Sequence, residues 1–225
     1  MTGLLVRLEI APEKSAVLDV PVAHIFRTMF AHGQQSLLDI TENGLPVGSL
    51  VLTPKAEADE RSLGFSGTLW LRVPGMVKQR MSWEGLVKLD RALRLTGGQF
   101  ELNVVESRSH LVLTMPKAGE SLHCELTQGN ARILDTEITV DAAGLARAQK
   151  ELGFDVSPFL AAQKNVSAPQ IVSRQTEHLF HGEKISVFQI TIGPPGSALA
   201  EIYFSQLGQV LEARTPFGYT LLSQD

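Results

Sequence analysis

The chain has 225 residues, of which 44% are hydrophobic and 20% charged, with a net charge of −4 and a pI of about 5.9. That composition supports a globular protein with a sizeable core, and the lack of a basic excess excludes a dominant nucleic-acid role. Mean hydropathy is +0.06 and no run of about 18 apolar residues occurs, so no segment reads as a membrane-spanning helix.

The first ten residues alternate as a short strand that Pro12 ends, and residues 1–18 form an N-terminal stem. An amphipathic helix is expected next, within 19–33 and roughly Val20 to Ala31. Val22, Ile25, Phe26, Met29 and Phe30 fall on one stripe, Asp19 and Pro21 open it, and Gly33 follows its end. From Ser36 the period becomes two. Ser36–Glu42 and Val47–Thr53 are joined by Asn43-Gly44, a strong hairpin signal. Leu63–Val73 is a long strand in which Gly64 and Gly67 are expected to mark bulges. Further strands are expected at Lys78–Trp83, Leu86–Leu95, Gln99–Val105, His110–Met115, Ser121–Gln128 and Ala131–Val140, so that 36–140 is an antiparallel meander.

Asp141 and Ser157-Pro158 open two short helices, a helical insertion over 141–165. Strands close the chain over 170–225: Thr176–His181, Glu183–Ile192, Ala198–Ser205, Val210–Thr215 and Tyr219–Leu222. Several strands are apolar on both faces, which a sheet solvated on one side would not be. The expected fold is therefore mainly β with a few helices (α+β), in one domain. A large curved antiparallel sheet, a half-barrel, wraps around the helices.

No catalytic constellation and no metal or cofactor site emerges. His178 and His181 share a strand segment and point to opposite faces, so they read as surface and turn histidines rather than as a chelate. Cys124 is the one cysteine, which excludes an intrachain disulfide; aligned with Leu122 and Leu126, it reads as a buried, inert thiol. Gly64-Phe65-Ser66-Gly67 lacks the Gly-x-Ser-x-Gly spacing of a nucleophile elbow, and Gly193-Pro194-Pro195-Gly196 is a turn whose prolines lack N–H donors for phosphate. Glu201, Glu212 and Arg214 read as a solvated cross-strand set. Arg72, Lys78, Arg80, Lys88, Arg91 and Arg94, near Trp70 and Trp83, form a basic run suited to anionic lipid headgroups; a solvated face interleaved with Glu84 and Asp90 is the plainer reading.

The hairpin Leu38-Asp39-Ile40-Thr41-Glu42-Asn43-Gly44-Leu45-Pro46-Val47-Gly48-Ser49-Leu50 resembles the opening strands of bacterial cell-envelope β-domains of unknown function, which often precede transglutaminase-like modules. Tyr203–Leu211 followed by Pro216-Phe217-Gly218 resembles their closing strands, although Ser205 stands where an acidic turn residue is common and no such module follows in this sequence. In shape these domains are similar to lipoprotein-carrier folds. The resemblance implies the cell envelope and apolar-ligand handling, and hands over no catalytic residue.

The expected function is thus a non-enzymatic domain that binds a lipid or lipoprotein, or acts beside the membrane. Its expected lining is Phe26, Met29, Phe30, Trp70 and Phe159. The alternative is a structural module that pairs with a protein partner through a sheet edge. The expected address is periplasmic or membrane-anchored, with the opening Met1–Leu8 as the remnant of a longer leader; a cytoplasmic location is the alternative.

Overall fold

A computed structural model describes residues 18–71, 78–117, 121–139, 170–194 and 198–224. The elements are β1 (Leu18–Asp19), α1 (Val22–His32), β2 (Ser36–Glu42), β3 (Leu45–Ala56), β4 (Glu60–Leu71), β5 (Gln79–Asp90), β6 (Leu95–Val104), β7 (Ser109–Met115), β8 (Ser121–Gln128), β9 (Ala131–Thr139), β10 (Gln170–Phe180), β11 (Glu183–Gly193), β12 (Ala200–Phe204), β13 (Val210–Arg214) and β14 (Tyr219–Ser223). All strands join one open, curled, antiparallel 14-stranded sheet in the order β1-β10-β11-β12-β13-β14-β2-β3-β4-β5-β6-β7-β8-β9. Two meanders, β2–β9 and β10–β14, are therefore sewn together where β14 pairs with β2.

The helix forms where its stripe dictates. Pro21 precedes α1 with φ −59°, and Gly33 ends it in the left-handed region, its N–H reaching the Met29 carbonyl at 3.0 Å. Ile25, Met29 and Phe30 are buried against Leu38, Phe188, Ile190, Phe204 and Val210. Each such side chain contributes about 1.5–3 kcal/mol when fully buried. Leu50, Leu52, Leu63 and Leu89 pack on the rim of this core, so α1 lies on one face of the sheet and reaches from β10–β14 across to β5.

The sheet curls at four shifts of register: Ile40/Thr41, Lys88/Leu89, Leu126/Thr127 and Tyr203/Phe204. Neither Gly64 nor Gly67 is a bulge, because β4 pairs in unbroken register with both β3 and β5. The two strands expected at Lys78–Trp83 and Leu86–Leu95 are one strand, β5, which ends at Asp90. The turn after it is made by Asp90: its carbonyl accepts from Leu93 N–H at 3.0 Å and its Oδ1 from Arg94 N–H at 2.9 Å. The Arg94 N–H, with a second backbone donor at Ala92, holds the Asp90 carboxyl below its usual range. The strand expected in the first ten residues and the helices over 141–165 lie outside the described residues.

The β12–β13 turn locks onto α1. Gly208 has φ +79°, and a Cβ there would lie 2.4 Å from the Met29 N and Cα atoms. Gly218, with φ +82°, has nothing within 4 Å of such a Cβ. Both substitutions to Ala incur the left-handed penalty of roughly 1–2 kcal/mol; only Gly208→Ala must also push the turn off the helix. Chemical denaturation is expected to show Gly208→Ala clearly less stable than Gly218→Ala. Equal losses would contradict the turn–helix contact.

Candidate functional site

Register assigns every strand residue to one of two faces. On the α1 side, β4 to β9 continue the apolar surface well past the helix: Leu69, Met81, Trp83, Phe100, Leu102 and Leu113 all lie there, half-buried. At its far end Cys124 and Ile138 are buried among Leu111, Leu113, Leu122 and Leu134. Burial pushes the Cys124 thiol above its ordinary range, which makes it a poor nucleophile.

The centre of this face has an unusual construction. Phe65-Ser66-Gly67 on β4 pairs with Trp83-Glu84-Gly85 on β5, so that Phe65 faces Gly85 and Trp83 faces Gly67. A Cβ on Gly85 would lie 2.3 Å from the Phe65 ring, and one on Gly67 would lie 2.5 Å from the Trp83 indole. Each ring therefore lies flat over the other strand's glycine, and Phe65 stacks on Phe100 with centroids 6.1 Å apart. The result is a smooth aromatic floor where ordinary side chains would stand up from the sheet.

The opposite face is polar. A cleft of about 580 Å³ lies there, lined by Thr53, Ser62, Ser66, Gln99, Lys55 and Lys88 together with Glu57, Glu60, Glu84 and Glu101. Lys88 sits 3.8 Å from Glu60, and Gln99 donates to Glu101 at 2.8 Å. Among the described residues no group of three or more His, Cys, Asp or Glu side chains is arranged to hold a metal ion.

Further along that face, β10–β13 carry a buried polar network that the sequence reading missed. Glu212, only 7% exposed, accepts from His178 Nε2 at 2.8 Å and from Arg214 Nε at 2.7 Å. The His178 ring stacks on Tyr203 with centroids 4.0 Å apart. Gln189 donates to Tyr203 Oη at 3.2 Å and to Glu201 at 3.1 Å, and Arg174 donates to Gln189 at 2.8 Å. Burial first, and then the Glu201 charge, raise the Tyr203 phenol above its ordinary value. The set expected to be solvated is thus buried at Glu212, and the expected surface histidine His178 is its partner, because His178 on β10 and Glu212 on β13 lie on the same face of the sheet, beside Tyr203 on β12. A buried carboxylate is stable only when its oxygens are matched in this way. Every group in the network is engaged, so it fixes the β10–β13 register and holds no free nucleophile. His181, by contrast, sits in the β10–β11 turn.

The expected ligand lining does not come together. Met29 and Phe30 are core side chains, 4% and 3% exposed, and Phe26 packs edge-on to Phe204. Trp70 lies on the opposite face of the sheet, paired with Arg80, because it is one residue out of step with Leu69. Phe159 lies outside the described residues. The expected basic run is also divided. Lys78 and Arg80 stack on Trp70, 4.6 and 5.8 Å from the ring, at one end of β5. Lys88, Arg91 and Arg94 pair with Glu60, Asp59 and Asp90 at the other. Some ten residues of extended strand, about 30 Å, separate the two groups.

No family model matches the chain, and no curated protein does. Among solved structures, a β-barrel-like protein of the domain of unknown function DUF1849 from Brucella abortus is similar over 84% of this chain and 93% of its own, with 12% identity and a TM-score of 0.41.

The aromatic floor makes a specific prediction. Gly85→Ala is expected to cost about 1–3 kcal/mol by lifting the Phe65 ring. In a Phe65→Ala background the same substitution is expected to cost almost nothing. A double-mutant cycle measured by denaturation checks this; additive losses would contradict the packing.

Proposed function

We propose that this protein is a non-enzymatic domain that holds an elongated apolar ligand, a lipid or the acyl chain of a lipoprotein, on the aromatic floor of β4–β8. The observation that carries the reading is the reciprocal ring-over-glycine pairing of Phe65, Gly67, Trp83 and Gly85. It produces a flat apolar strip beyond the reach of α1. A flat strip suits an extended chain, whereas a closed core would call for interdigitating side chains. Burying an acyl chain yields about 0.8 kcal/mol per methylene, so roughly ten methylenes give ample gross energy against the cost of association.

The lining in this proposal is Phe65, Trp83, Phe100, Leu102 and Leu113. A cell-envelope address belongs to the same proposal. Its support is the resemblance of the opening and closing hairpins to envelope β-domains that precede transglutaminase-like modules.

The test is displacement of a fluorescent apolar probe. N-phenylnaphthylamine is expected to brighten on the protein and to be displaced by palmitate. Leu113→Arg is expected to weaken palmitate about tenfold or more, with circular dichroism unchanged. No brightening, or a variant that binds palmitate as tightly as the parent, would overturn the proposal.

A further inference from the structure

The antiparallel order puts alternate connections at the same rim of the curled sheet. One rim collects the connections β2–β3, β4–β5, β6–β7, β8–β9, β11–β12 and β13–β14. Each of the six has a large exposed apolar residue in it or within three residues of it. They are Leu45 (64% exposed), Trp70 (39%), Val105 (56%), Ile133 (56%), Leu199 (48%) and Phe217 (64%). The opposite rim has Leu95, Leu179 and Leu207, and there the cations Lys88, Arg91 and Arg94 are paired with Glu60, Asp59 and Asp90. On the first rim Lys78 and Arg80 stack on Trp70 and Arg108 lies in the β6–β7 connection, alongside Glu42 and Glu106.

We infer that this rim docks on the surface of an anionic lipid bilayer. The apolar residues are spread one to a connection around a long arc, not massed in one patch. An arc of single side chains fits a deformable plane better than it fits a shaped protein pocket. Tryptophan is the side chain best suited to the headgroup level, since its ring is apolar and its N–H polar. Lys78 and Arg80 stacked on it bring positive charge to that same level, where anionic headgroups attract it. Docking would set β4–β8, and the aromatic floor between them, end-on to the membrane. The inference does not depend on what the floor binds.

The two tryptophans allow a test in the whole chain. Trp83→Phe leaves Trp70 on the rim as the sole reporter, and Trp70→Phe leaves Trp83 on the floor. With vesicles of equal parts phosphatidylcholine and phosphatidylglycerol, the Trp70 reporter is expected to shift to the blue and to be quenched by brominated acyl chains. Cosedimentation is expected to weaken about tenfold in Leu45→Ser/Val105→Ser, both exposed positions that leave the fold intact, and to fall with added salt. Palmitate binding followed at Trp83 is expected to be unchanged in that double variant, which separates failure of this inference from failure of the ligand proposal. Unaltered Trp70 emission, sedimentation indifferent to the rim substitutions, or equal binding to pure phosphatidylcholine would overturn it. So would a dimer in solution, without vesicles, that Leu45→Ser/Val105→Ser dissociates, because the rim would then be an interface between two copies.

Discussion

The apolar face of a 14-stranded sheet must be kept from water, and among the described residues an 11-residue helix is the one helix that lies on it. That helix is about 16 Å long and about 10 Å wide, whereas fourteen strands spaced about 4.8 Å apart extend over roughly 60 Å. Curling brings distant strands toward α1, and the four register shifts supply the curl. Even so, the core beneath α1 reaches only to Leu63 on β4 and to Leu89 and Leu93 around the end of β5. The rest of the apolar face needs another way to be stable, and the flat floor of Phe65 and Trp83 over glycines provides one. Rings that lie on the sheet bury most of their area against the backbone and leave only one side for a ligand.

The two faces divide the work of specifying the fold. On the α1 side the forces are apolar and without direction, and a slip of one residue would turn the whole set outward. On the other side the network of His178, Glu212, Tyr203, Gln189 and Glu201 supplies direction across β10–β13. Each of its hydrogen bonds exists in one register alone. A buried Glu212 left without His178 or Arg214 would be costly, so wrong pairings are penalised where the apolar pattern tolerates them.

Much of this was legible in the sequence. The stripe of α1, the Asn43-Gly44 hairpin and the spacing of the meander all follow from periodicity and turn chemistry, which are local. Asn43 and Gly44 do adopt positive φ, 52° and 78°. The site was less legible because it depends on which strands become neighbours. Gly67 read as a bulge, and Gly85 fell between two expected strands. Their meaning lies in the partner strand, since each makes room for an aromatic ring there. The signal was present as two aromatic-x-Gly tripeptides, Phe65-Ser66-Gly67 and Trp83-Glu84-Gly85, whose antiparallel pairing is reciprocal. Trp70 was grouped with the helix stripe as lining, whereas its parity along β4 puts it on the face away from α1. Glu212 looked solvated because its burial comes from Tyr203 and His178, on strands that precede it.

The central claim is that a ligand lies on the β4–β8 floor, clear of the core beneath α1. The five methionines offer a direct reading. Met81 and Met115 lie on the floor side of β5 and β7, and Met29 is buried in the core. With methyl-labelled methionine and bound palmitate, the account predicts shifts and acyl-chain contacts at Met81 and Met115 and an unmoved Met29 signal. Acyl contacts at Met29, or no change at Met81 and Met115 under saturating palmitate, would contradict it.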